Sequence, residues 1–180
     1  MIYGNIESFV QSWLAEHFKT SEKEIDKLLK CQTATLYLLI WPVMEQRLFS
    51  GFMKQNEILN AAKKYSPYYE QLSIDSDVEY FFYRYQKPNL YRHLKHGRYF
   101  CDTDKILKKE YYQLTSVEKL QLMFFVVYRY RNNIFHGSKG IESWIQYSEQ
   151  IKKCIVFMTK IVDCQKKNFP TEQDEKNESI

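Results

Sequence analysis

From Thr115 to Gly137 the chain reads TSVEKLQLMFFVVYRYRNNIFHG, and this stretch decides the fold. Thr115-Ser116-Val117-Glu118 has the form of a capping box, in which a hydroxyl and a carboxylate three residues apart satisfy the orphan N–H groups of a first helical turn. Behind it Leu120, Met123, Phe124, Val127 and Tyr128 recur at helical spacing, and Gly137 is placed to stop the helix. A second helix follows from about Ile141 to Gln165, with Trp144, Ile151, Ile155, Met158 and Val162 as its apolar stripe.

The segments upstream read the same way. Asn5 or Ser8 can cap a first helix whose residues Ile6, Phe9, Val10, Trp13, Leu14 and Phe18 form an apolar side, expected to be its buried face. Ser21-Glu22-Lys23-Glu24 is another capping box, leading to Ile25, Leu28 and Leu29. The segment from Thr35 to Met53 is apolar on nearly every side and reads as the central helix, bent at Pro42, which lacks the N–H that the preceding turn needs. Shorter helices are expected over Glu57–Tyr65, Asp77–Gln86 (behind Ser76-Asp77-Val78-Glu79) and Asn89–His96, with a loop or short hairpin from Gly97 to Asp104.

Composition agrees with an all-α chain. Its 180 residues hold only 5 Gly and 4 Pro, too few for a β-sandwich or a chain of tight hairpins, while 44% are hydrophobic. Residues 1–168 read as one domain, a bundle of about five to seven helices ending in a long C-terminal one. After Asn168 the sequence FPTEQDEKNESI is polar, so 169–180 are expected to be a disordered tail.

A net charge of +4 permits a polyanionic partner without being a strongly basic tail. The four cysteines form no C-x-x-C pair, which excludes a zinc ribbon or thioredoxin-type motif and fits a reducing compartment. With no secretory signal and no apolar stretch of spanning length, a cytoplasmic protein with no membrane partner is expected.

Reactive groups concentrate from Tyr128 to Gly140. Arg131 continues the row Leu120, Phe124, Val127, so it is not simply a solvated charge; a buried guanidinium must meet a carboxylate, a phosphate or another subunit. A second row runs Leu122, Phe125, Arg129, Asn132, His136. His136 precedes a fresh helix start near Ser138, with Lys139 beside it, and free N–H groups there suit an anion. An imidazole that titrates near neutrality and a guanidinium are what cleavage of an RNA phosphodiester needs, with no metal and no cofactor. Glu45 is the candidate buried partner of Arg129 or Arg131, the alternatives being Arg47 or water. His93, His96 and Cys101 read as solvent-facing rather than as a metal site.

Arg131-Asn132-Asn133-Ile134-Phe135-His136 resembles the R-x(4-6)-H motif of HEPN-domain proteins, in which a polar residue such as asparagine commonly follows the arginine. Arg129 to His136 satisfies the longer spacing. The resemblance implies a HEPN-like helical bundle with the motif at the start of, or just before, a long C-terminal helix. It further implies a metal-independent endoribonuclease whose catalytic residues are Arg131, Asn132 and His136, with Arg129, Ser138 and Lys139 contacting RNA. A homodimer with apposed motifs is implied too, as is a role as a toxin or anti-phage defence effector with an antitoxin or regulatory protein as partner. The alternatives are a non-catalytic HEPN-like interaction or nucleotide-binding module, and a plain helical scaffold in which Arg131 pairs with a core carboxylate and His136 caps its helix.

Overall fold

In the computed structural model, which describes residues 6–95, 101–135 and 145–171, secondary structure is helical throughout with no strand among those residues. The helices are α1 (Ile6–His17), α2 (Glu22–Leu29), α3 (Gln32–Phe49), α4 (Ile58–Tyr65), α5 (Tyr69–Leu72), α6 (Asp75–Tyr85), α7 (Pro88–Lys95), α8 (Cys101–Ile106), α9 (Ser116–Phe135) and α10 (Ser148–Asn168). Single 3-10 turns precede α4, α5 and α9. The all-α class is as the sequence implies, with α5 and α8 as additional short helices in stretches that do not read as helical.

The capping box at the head of α9 forms in full. Glu118 Oε2 accepts the Thr115 N–H at 3.1 Å, and Thr115 Oγ1 accepts the Glu118 N–H at 3.3 Å. From Leu120 to Val127 every residue of α9 is buried, because α4, α6, α7, α8 and α10 all pack against it. This makes α9 the centre of the bundle, correcting the expectation for the segment that forms α3. That helix lies along α10 and buries one side only, through Tyr37, Trp41, Met44 and Phe49. Its end comes earlier than Met53: Ser50 is left-handed and Gly51 sits at φ 120°, a conformation that L residues rarely adopt.

Three further expectations are corrected. The apolar stripe of α1 is not its buried face: Ile6, Phe9, Trp13 and Phe18 are exposed, and α1 meets α2 through Leu14 and Ala15 against Ile25 and Leu28. Residues 101–104 open α8 rather than continuing a loop, and α6 starts at Asp75, ahead of the Ser76 box. Just past the last helix, Phe169 packs edge-on against Tyr65 and Tyr68 at centroid distances of 6.0 and 5.8 Å. The remainder of the tail, from 172, lies outside the described residues, as does the junction 136–144.

Candidate functional site

The last two turns of α9 carry Arg129, Arg131, Asn132 and Asn133. Arg129 is 2% exposed, and its guanidinium is turned into the protein. Its Nε–H donates to the Leu94 carbonyl at 3.0 Å, and its Nη2 donates to the Lys95 carbonyl and to Asn133 Oδ1 at 3.0 and 3.1 Å. Asn133 Nδ2 donates to the same Leu94 carbonyl at 3.2 Å. The carbonyls of a last helical turn have no partner within their own helix and carry the negative end of its dipole. Arg129 and Asn133 therefore cap α7. The Nε and Nη2 donors of Arg129, which the sequence assigns to RNA, are thus engaged inside the fold.

Arg131 is placed differently. It extends the buried row Leu120, Phe124, Val127 and is half-buried. Its guanidinium carbon lies 5.8 Å from the centre of the Trp41 ring, and Nη1 donates to Asn132 Oδ1 at 3.0 Å. An arginine laid on an indole gains cation–π attraction, and the hydrogen bond to Asn132 fixes the orientation of its fork. Asn132 is 8% exposed, so its amide is an internal prop for Arg131. Beneath them Tyr37 donates its hydroxyl to the Val127 carbonyl at 3.0 Å, tying α3 to α9 one turn before Arg131. Burial holds that phenol protonated, against the pull of the Arg131 cation.

Glu45 is buried, as the sequence suggested, but not as the partner of either arginine. Its Oε1 accepts the Met53 N–H at 3.0 Å, and its carbonyl accepts the Gly51 N–H at 3.3 Å, closing the end of α3. His136, Ser138 and Lys139 lie outside the described residues. Sequence reasoning missed Asn133, Trp41 and the α7 carbonyls. Asn133 stands four residues after Arg129, a spacing that sets the two on one helix face, and that signal was available.

No group of three His, Cys, Asp or Glu side chains gathers to hold a metal among the described residues. No described helix is long and apolar enough to cross a membrane. Neither a scan of family models nor searches of curated proteins and of solved structures returns a match to this chain.

Proposed function

We propose that the chain is a metal-independent endoribonuclease of the HEPN type, acting as a homodimer on RNA. The observation that carries the reading is the division of labour on α9. Arg129 is locked into the fold, whereas Arg131 sits half-buried on Trp41, braced by Asn132, five residues before His136. In this reading His136 moves the proton of the 2′-OH or of the leaving oxygen, and Arg131 neutralises the charge that builds on the phosphorane. Asn132 holds the guanidinium, limiting the entropy lost when an anion arrives.

The outer face of α3 supports the dimer. Residues 32–44 carry no charge, yet Leu36, Leu38, Leu39 and Val43 are between 41% and 64% exposed. A helix apolar on all sides is ordinarily buried on all sides. Those four side chains leave roughly 350 Å² of apolar surface in water, close to half of what each partner covers in a standard interface. A second copy fits best, because Leu38 stands one turn from Trp41 and the covered face would adjoin Arg131, bringing two motifs together. The test is cleavage of a single-stranded RNA in EDTA by the wild type and by Arg131→Ala. Cleavage that EDTA leaves intact and the substitution removes supports the reading; an Arg131→Ala variant of full activity refutes it.

A further inference from the structure

A second polar constellation lies on α9, two turns before Arg129. Between α4 and α8 a cleft of about 460 Å³ opens over α9, within the range of small-molecule sites. Its polar lining is Gln55, Asn56, Asp102, Thr103 and Gln121, and Phe125 supplies apolar floor. Gln121 is 8% exposed and Thr103 4% exposed. Neither side chain makes a hydrogen bond within the described protein, although buried polar groups are almost always paired. Their polar atoms are not sealed in: both line the cleft and neither is among the fully enclosed orphans. Gln121 is flanked on α9 by the fully buried Leu120 and Leu122. An unspent amide at such a position has its use in a ligand.

We infer that this cleft between α4 and α8 is a binding pocket for a guanine base. Among the described residues no lysine, arginine or histidine lines it and Asp102 does, which disfavours a phosphate there. The carboxylate accepts only, and therefore asks for neighbouring donors on the ligand. Guanine presents N1–H and the 2-amino group side by side on its Watson–Crick edge, matching two carboxylate oxygens. Adenine and cytosine would set a ring acceptor against Asp102, and uracil offers one donor. Carboxamides such as Gln121 and Asn56 donate to O6 or N7, as they do on other base edges. The base can come from a free guanosine nucleotide or from an unpaired guanine in single-stranded RNA, and the inference needs no cleavage chemistry.

The experiment is calorimetric titration of the full chain with guanosine, inosine and adenosine. Alongside them go two 2′-O-methyl RNAs, U4GU4 and U9, which cannot undergo 2′-OH attack. Guanosine should bind at least about tenfold more tightly than inosine, which lacks the 2-amino group, with adenosine weaker again. Asp102→Asn, at an exposed position, should bring guanosine and inosine to parity. Gln121→Leu should abolish binding without lowering Tm, since it removes an unpaired amide from a buried site. Guanosine binding without U4GU4 binding identifies a free nucleoside as the source, the converse identifies RNA, and either supports the pocket. Absence of both at millimolar concentration overturns it and leaves a hydrated cleft, as does binding that Asp102→Asn and Gln121→Leu leave unchanged.

Discussion

Arg129 and Asn133 share one acceptor, the Leu94 carbonyl, which takes the Arg129 Nε–H at 3.0 Å and the Asn133 Nδ2–H at 3.2 Å. One turn of α9 thus closes the end of α7, a helix some 35 residues away in sequence. The charge of Arg129 is desolvated and met by main-chain carbonyls, and Arg131, two positions on, lies on the opposite side of the helix with Trp41.

That arrangement predicts a large stability cost for Arg129→Ala. Removing the guanidinium takes a charged donor away from the Leu94 and Lys95 carbonyls and from Asn133, a loss of roughly 3 kcal/mol. For a domain of this size the Tm should fall by about 6–12 °C. Arg129→Lys should not restore it, because an ammonium cannot span both carbonyls and Asn133 in one plane. A thermal melt of Arg129→Ala within a degree of wild type would contradict the capping role.

The α3 face predicts a separation of assembly from stability. Leu39→Glu places a charge on the most exposed of the four side chains. It should leave the melting temperature nearly unchanged, since surface substitutions seldom move stability by more than about 0.5 kcal/mol. Sedimentation at micromolar concentration should show a dimer for the wild type and a monomer for Leu39→Glu. A dimer that survives the substitution would place the interface elsewhere.

Acid sensitivity should be traceable to Asp75 and Glu118. Burial alone would raise Asp75, but hydrogen bonds from Lys119, Tyr69 and Tyr111 outweigh it and hold the carboxyl below its ordinary range. Glu118 is likewise pushed up by burial and pulled further down by Lys109 and Thr115. Each carboxyl takes up its proton more readily in the unfolded chain. Its stabilising effect is therefore present above the unfolded value, near 4, and lost as pH falls toward the lower folded value. Asp75→Asn should lower stability at pH 7 and flatten part of the loss below pH 4. Identical pH profiles for the two proteins would refute this account.

Thiol chemistry should distinguish the cysteines. Burial, with Asp77 nearby, pushes the Cys154 thiol up, and its sulfur is enclosed between α10 and the rest of the core. Cys31, half-buried ahead of α3, is reachable. Iodoacetamide followed by peptide mass spectrometry should find Cys31 modified in the native protein and Cys154 only in denaturant. Native-state labelling of Cys154 at the rate of Cys31 would contradict the packing.

Much of the fold was legible because local rules suffice for it. The Thr115–Glu118 box, the stripe behind it and the stop of α4 at Tyr65 before Pro67 depend on neighbours in sequence. What failed were judgements about which faces meet. The apolar stripe of α1 and the uncharged run of α3 both read as interior, yet most of that stripe and the outer side of α3 stay exposed. Apolar pattern reports surface that seeks cover, not what supplies it. At the candidate site, periodicity alone singled out Arg131 as an arginine in an apolar row. The role of Arg129 was invisible because its acceptors are main-chain carbonyls of α7, which no side-chain motif records. Gln121 escaped notice for a related reason: in sequence it is one polar residue on a helix, and only the walls built by α4 and α8 make it the floor of a cleft.

Cleavage by in-line attack of the neighbouring 2′-OH, with Arg131 and His136 in the roles proposed above, can be read from the cut ends by mass spectrometry. With EDTA present, the wild type should leave 2′,3′-cyclic phosphate and 5′-hydroxyl termini, and His136→Ala should lower the rate by at least about a hundredfold while its melting temperature holds. Products bearing 3′-hydroxyl ends, or undiminished cleavage by His136→Ala, would contradict it.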